Sequence, residues 1–156
     1  MTELGIEIAS ATREWVDLSL PCELNAVQRV QEYLRGLDAD LPRKPREAVA
    51  EALHELLMNA VEWGGRFDPS LRVKVSRIRG ARMVMYHIAD PGAGYRMDEL
   101  RHAAIHYNDK EPLAHLNARH GRGIRAGGFG LLLVRELVDE LFFNHARNEV
   151  VFVKYL

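Results

Sequence analysis

The chain has 156 residues, of which 47% are hydrophobic and 28% charged, a balance that fits a folded domain and excludes an intrinsically disordered one. Basic residues number 21 and acidic residues 22. This balance argues against binding to nucleic acid or to an anionic membrane through an extended positively charged surface. The lone cysteine, Cys22, cannot form an internal disulfide, and no signal peptide is recognisable at the start of the chain. We therefore expect one cytoplasmic domain covering residues 1–156, with no nucleic-acid or membrane partner.

The first half of the chain is predicted to hold one strand and two helices. Residues Trp15–Leu20 alternate apolar and polar positions and therefore predict a half-buried strand. Apolar residues recur at helical spacing over Leu24–Leu37. A proline-containing connection, Asp38–Pro45, is followed by a helix expected from about Arg46 to Trp63, which ends at a glycine pair.

The second half is predicted to contain two hairpins, two helices and a long polar segment from His106 to Ala126. The predicted elements are the strands Leu71–Ile78 and Met83–Ala89, a short helix Met97–Ile105, the helix Leu131–Leu141, and the strands Leu141–Phe143 and Val150–Tyr155. This order predicts an α/β two-layer sandwich, in which helices cover one face of a mainly antiparallel, mixed sheet.

The first candidate site motif lies in the second long helix. Glu55 and Asn59 are four residues apart, so both side chains lie on one helix face. A carboxylate and an amide oxygen so placed can share a Mg²⁺ ion and its waters. Taken alone, the pair also fits a solvated helix face.

Two glycine-rich turns supply the other motifs. Asp90 follows a predicted strand and precedes Gly92 and Gly94; the carboxylate can accept a hydrogen bond from an amine, and the glycines allow close backbone approach. Gly128 and Gly130 precede an apolar helix, where backbone N–H groups attract an anion. Each turn taken alone is also compatible with an ordinary connection.

Together and in this order, the motifs resemble the ATP-binding domain of the GHKL superfamily (DNA gyrase, heat-shock chaperone, histidine kinase, MutL), which has the Bergerat fold. Within it, the likeness is greatest to the serine/threonine kinases that act as anti-sigma factors in bacterial partner-switching systems. The resemblance spans about Trp15 to Leu156. Its helix box matches Glu55, Asn59, Ala60 and Gly64, its first glycine box Asp90, Gly92 and Gly94, and its second Gly128, Gly130 and Val138-Asp139-Glu140.

The resemblance implies a role for each matched residue. Asn59 would ligate Mg²⁺ at the ATP phosphates, and Glu55 would be the general base. Asp90 would bind the adenine amine. The glycines would shape the two ends of the site: Gly92 and Gly94 at the adenine, Gly128 and Gly130 at the phosphates.

Several residues depart from the family pattern. Trp63 stands where many relatives have histidine, and valine, Val150 or Val151, replaces a threonine near the adenine. The segment 95–126, the expected lid, is longer than usual. It contains three arginines that are candidates for a phosphate contact, and four histidines for which a zinc site is a weaker alternative to solvation: Arg119, Arg122, Arg125, His102, His106, His115 and His120.

The resemblance therefore implies an ATP-dependent serine/threonine protein kinase that phosphorylates a small antagonist protein and that also binds a sigma factor or another regulator. It further implies a homodimer, expected along the sheet edge near the first strand. The alternative is a protein-binding module that is gated by nucleotide without significant turnover. The catalytic half of a histidine kinase is a less favoured expectation, because 156 residues leave no room for a dimerising helix pair that carries the acceptor histidine.

Overall fold

The computed structural model describes residues 4–93 and 129–156. These two ranges hold six strands and three α-helices. The strands are β1 (Glu7–Ala11), β2 (Trp15–Pro21), β3 (Arg72–Arg79), β4 (Met83–Ala89), β5 (Glu140–Phe143) and β6 (Glu149–Tyr155). The helices are α1 (Leu24–Leu37), α2 (Arg43–Asn59) and α3 (Phe129–Leu137), with a 3₁₀ turn at Asp38–Asp40 and a π-helical turn at Ala60–Gly64.

The strands form one sheet in the order β1-β2-β3-β4-β6-β5. Each neighbouring pair is antiparallel, so the described part of the sheet contains no parallel pair. Alternate strand residues such as Val75, Tyr86 and Phe152 are buried in a core shared with the apolar stripes of the helices. The α/β sandwich predicted from the sequence is thus confirmed, and its described strands are antiparallel throughout.

The long helix begins earlier than predicted and changes its geometry at its end. α2 begins at Arg43, so Pro45 lies in the first turn, where a missing N–H breaks no helical bond. Beyond Asn59 the chain widens into a π turn, in which the Gly65 N–H donates to the Ala60 carbonyl at 2.9 Å. Such widened turns recur at functional sites.

Two further boundaries differ from the prediction. The helix expected at Leu131–Leu141 is observed at Phe129–Leu137, and β5 already begins at Glu140. The expected helix Met97–Ile105 and the whole lid segment 95–126 lie outside the described residues.

The edge strand β1 was not predicted. All five of its residues are exposed, so no apolar alternation marks it in the sequence. It exists because its backbone pairs with β2, with a register shift between Ile8 and Ser10 that indicates a β-bulge.

A buried polar network ties the end of α1 to the sheet. Arg77 of β3 is 1% exposed and Asp38 is 4% exposed. The Arg77 Nη2 atom lies 2.7 Å from Asp38 Oδ1, and the Tyr86 hydroxyl donates to Asp38 Oδ2 at 2.6 Å. Because a buried charge needs a partner, this pairing fixes the helix layer against β3 and β4.

Candidate functional site

α2 presents the first two predicted site residues, Glu55 and Asn59, one turn apart and both half-buried. α2 packs against α3, and the glycine near the start of α3 faces Glu55. A Cβ built on Gly130 would lie 2.4 Å from Glu55 Oε2. The fold therefore brings the predicted general base directly against the predicted anion-binding helix start.

The opposite end of the site is built around Asp90, which follows β4. The Gly92 N–H donates to Asp90 Oδ1 at 2.8 Å, and the carboxyl group lies against the end of the π turn. A Cβ on Gly64 would come within 2.3 Å of both Asp90 Cγ and Oδ1. Only glycine at residue 64 permits this approach, so the helix box and the first glycine box meet at Asp90.

A cavity of about 410 Å³ opens beside Asp90. Its walls come from the π turn, the loop after it and the turn after β4. The lining residues are Trp63, Gly64, Gly65, Arg66, Asp68, Leu71, Asp90, Pro91, Gly92 and Ala93. Its size and its mixed polar and apolar walls are typical of a small-molecule pocket.

The pKa of Asp90 is raised from 3.8 to about 6: burial is the main cause, the Gly92 hydrogen bond opposes the shift, and the negative charge of Glu149 adds to it. At neutral pH the carboxylate is mainly ionised and accepts hydrogen bonds. An ionised carboxylate has about four acceptor positions, so the Gly92 bond leaves capacity for a ligand amine.

Cys22 packs against the second glycine of the pair at residues 64 and 65. A Cβ on Gly65 would lie 2.1 Å from its Sγ atom, and the thiol is fully buried. Burial, with the negative charge of Asp90 and Asp68, raises the Cys22 pKa to about 11. The thiol is therefore neutral and serves packing.

The two ends of the site lie at different points along the same helical segment. Glu55 and Gly64 lie nine residues apart on one continuous helical segment, which corresponds to about 13 Å at 1.5 Å per residue. A ligand amine can thus meet Asp90 while an anion reaches Glu55, Asn59 and the start of α3.

Some predicted residues cannot be placed in this arrangement. Gly94, Gly128 and the lid arginines and histidines fall outside the described residues. Of the two valines considered near the base, Val150 is buried in the core, whereas Val151 lies on the other face of β6. Trp63 contributes to the cavity wall.

Sequence reasoning missed two parts of the site. The glycine pair was interpreted mainly as a helix end, although its second member accommodates Cys22; two adjacent glycines were the available signal. Asn148, whose amide donates to the Gly92 carbonyl at 3.0 Å, lies in a hairpin turn and carries no signal in the sequence.

Among the described residues, no helix is both long enough and apolar enough to span a bilayer. The family model of the histidine kinase-like ATPase domain matches residues 20–154, a range that includes Glu55, Asn59, Asp90 and Gly130. A comparison with curated proteins gives no significant match. The match covers most of the chain and includes residues from both ends of the site. This protein therefore belongs to the histidine kinase-like ATPase domain family, and as a member of that family it is an ATP-binding domain.

Proposed function

We propose that this domain is an ATP-dependent serine/threonine protein kinase of the anti-sigma-factor type, whose substrate is a small antagonist protein. The observation that carries the proposal is the contact between Glu55 and Gly130. It puts a carboxylate beside the start of α3, where an anion is stabilised by backbone N–H groups and the helix dipole. A base at the phosphate end is what transfer to a hydroxyl requires.

The proposed reaction moves the γ-phosphoryl group of ATP to a serine or threonine of the antagonist. The Glu55 carboxylate accepts the proton of the hydroxyl group while the hydroxyl oxygen bonds to the γ-phosphorus. The bond from the γ-phosphorus to the β,γ-bridging oxygen breaks, and ADP leaves. Asp90 holds the adenine amine and so fixes the distance of the phosphates from Glu55.

The residues at the phosphate end fit Mg²⁺ as the accompanying ion. In the described part of the chain, no group of three or more His, Cys, Asp or Glu side chains could enclose a metal. Magnesium does not need such a cage, since it keeps several waters and binds phosphate oxygens with one or two protein oxygens. Asn59 would supply that oxygen, and the ion, when bound, neutralises phosphate charge.

Two substitutions on α2 test the proposal. Asn59→Ala should remove Mg²⁺-dependent ATP binding and phosphoryl transfer together, whereas Glu55→Ala should keep binding and lose transfer. Glu51→Ala, an exposed acidic position on the same helix, is the matched control. Titration calorimetry and transfer of labelled phosphate to candidate antagonists supply the two readouts. Undiminished transfer in both site variants would contradict the assignment.

The alternative function is a nucleotide-gated binding module without significant turnover. The same Glu55–Gly130 contact favours it as well, because it links the phosphate end to α3, a helix at which bound nucleotide can alter a protein-binding surface. The two functions differ in the wild-type protein: a kinase transfers phosphate and loses that activity in Glu55→Ala, whereas a module shows nucleotide-dependent partner binding and no transfer in either protein.

The proposed partners are the antagonist, a sigma factor and a second copy of the chain, with the cytoplasm as the proposed location. For the second copy, the sheet face opposite the helices offers a surface. Trp15, Ile78, Met85 and Val153 lie in one row across four strands. Trp15 is 49% exposed, and nearby Tyr155 is 52% exposed. Ile78 and Met85 are half-buried and Val153 is 6% exposed, so Trp15 and Tyr155 supply the most exposed apolar surface of this face. Exposed apolar patches mark interfaces.

The shape of this row suits a two-fold axis parallel to the strands. Such an axis would place Ile78 opposite Met85 of the other copy, and each Trp15 opposite the other Val153. The bulge in β1 disfavours pairing along that edge. Light scattering should show a dimer that Met85→Glu dissociates, whereas Leu24→Glu, at an exposed leucine of α1, should not. A monomeric wild type would exclude the dimer.

A further inference from the structure

The turn that carries Asp90 is held at both ends by one residue of the β5–β6 hairpin. The Asp90 N–H donates to the Asn148 main-chain carbonyl at 2.9 Å, and the Asn148 Nδ2 donates to the Gly92 carbonyl at 3.0 Å. The Gly92 N–H in turn donates to Asp90 Oδ1. The three residues therefore form a closed cycle of hydrogen bonds.

The direction of the Asn148 amide is fixed by a second asparagine. Asn144 Oδ1 accepts the backbone N–H groups of Asn148 and Glu149, each at 3.0 Å. Since backbone N–H groups can only donate, the other end of the Asn144 amide must be the donor. That Nδ2 lies 2.7 Å from Asn148 Oδ1, so the Asn148 Nδ2 necessarily faces Gly92.

The hairpin turn is itself held in a defined path. Arg147 adopts a left-handed backbone with φ 60°, which a non-glycine residue adopts at a cost. Its N–H donates to the Asn144 carbonyl at 3.1 Å, and its guanidinium lies 5.3 Å from the centre of the Phe143 ring. These contacts keep Asn144 and Asn148 in place before any ligand arrives.

We propose that Asn148, oriented by Asn144, is a positioning residue for base recognition: it holds Gly92, and through the Gly92 N–H it sets the orientation of the Asp90 carboxylate. The inference rests on the proposed role of Asp90 in binding the adenine amine. Without the Asn148 amide, Gly92 can move away from Asp90, and the carboxylate loses the donor that aims it. Selection of adenine over guanine then declines.

The surroundings of Asp90 supply a second readout. The Gly92 bond lowers the Asp90 pKa against the effect of burial, so losing it should raise the pH midpoint of ATP binding. Other groups around Asp90 are Glu149 on β6, Cys22 after β2, and Arg66 and Asp68 on the cavity wall. His87 lies 2.9 Å from Glu149, and repeating the pH series in a His87→Gln background shows whether the midpoint belongs to Asp90.

The test compares Asn148→Ala, Asn148→Asp and His145→Ala in the full chain. Calorimetry measures Mg-ATP and Mg-GTP binding over a pH series that spans the Asp90 pKa of about 6. Asn148→Ala should weaken ATP binding roughly three- to tenfold, as expected for one net hydrogen bond, reduce the preference for ATP over GTP and raise the midpoint. Asn148→Asp should weaken it more, because an anionic oxygen then faces the Gly92 carbonyl. His145→Ala, at an exposed residue of the same turn, should match the wild type.

The inference would be overturned if Asn148→Ala had the same ATP affinity, the same preference for ATP over GTP and the same pH midpoint of binding as the wild type. An equal loss of ATP and GTP binding with an unchanged midpoint would also overturn it, since a purely structural role gives that pattern. If Asn148→Ala does not fold, the nearly isosteric Asn148→Asp carries the same test. Asp90→Asn separates the proposed role of Asp90 from that of Asn148. If this variant still binds ATP, Asp90 does not recognise the base. If it loses ATP binding while the Asn148 variants keep it, only the positioning role of Asn148 is refuted.

Discussion

Gly130 lies so close to Glu55 that the carboxylate occupies the space a side chain at residue 130 would need. A Cβ on Gly130 would be 2.4 Å from Glu55 Oε2 and 3.2 Å from Cδ. The missing side chain lets a negative charge rest beside the start of α3, where the helix dipole favours it. This contact couples the proposed general base to the helix that follows segment 95–126.

Gly130→Ala should therefore separate catalysis from folding. The atom in closest conflict is the far end of a flexible side chain, so Glu55 can swing aside at little cost, and alanine also favours helix by up to about 1 kcal/mol. We expect unchanged or slightly higher stability and a loss of phosphoryl transfer on the order of a hundredfold, within the range for general-base catalysis. Denaturant titration and transfer assays measure the two effects.

Gly64→Ala should act on the base end of the site. Its new Cβ would lie 2.5 Å or less from Asp90 Cβ, Cγ and Oδ1, so the whole carboxyl group must move. We expect a stability loss of about 1–3 kcal/mol, as for other overpacked sites, and at least a tenfold loss of ATP affinity. Gly36→Ala is the control, because no atom lies within 4 Å of its new Cβ; equal effects in both variants would contradict the steric argument.

Asp90 should make folding stability depend on pH in a defined direction. The pKa of Asp90 rises from 3.8 to about 6 on folding. As pH rises, the carboxyl group therefore loses its proton in the unfolded chain before it does so in the folded one, and stability falls between about pH 4 and about pH 6. Above that range the loss is complete. Asp90→Asn cannot ionise and should exceed the wild type by about 1–2 kcal/mol at neutral pH, a value reduced for the partial exposure of the group.

Urea denaturation of both proteins at several pH values checks this expectation. The difference between them should vanish below about pH 4, where the carboxyl group is protonated in both states. A constant difference across the series would show that ionisation of Asp90 is not its cause.

The buried network of Arg77, Asp38 and Tyr86 should dominate the stability of the helix–sheet junction. Asp38→Ala leaves the Arg77 guanidinium, which is 1% exposed, without its counter-ion. We expect the free energy of unfolding to fall by about 3–5 kcal/mol. Replacing Asp38 and Arg77 together with leucine should cost less, because no charge stays buried. A double variant less stable than Asp38→Ala would contradict this account, and equilibrium unfolding measures both.

Local patterns predicted most helix and strand positions. The bounds of α1 and β4 agree with prediction, because apolar residues at helical or alternating spacing report which side of an element is buried. β1 was missed since all its residues are exposed and only its pairing with β2 defines it. The π turn was missed because spacing along the chain does not report the packing around it, where Gly65, the donor of its closing hydrogen bond, lies against Cys22.

The sequence by itself determined the order of the motifs, the residue types of the site and the amphipathic elements that carry them, since each depends on neighbours along the chain. Tertiary structure alone decided that Gly130 meets Glu55, that Gly64 meets Asp90 and that Asn148 holds Gly92. These contacts join residues distant in sequence. They depend on how helices pack on a sheet and on which strands are neighbours, and no local pattern encodes such distances.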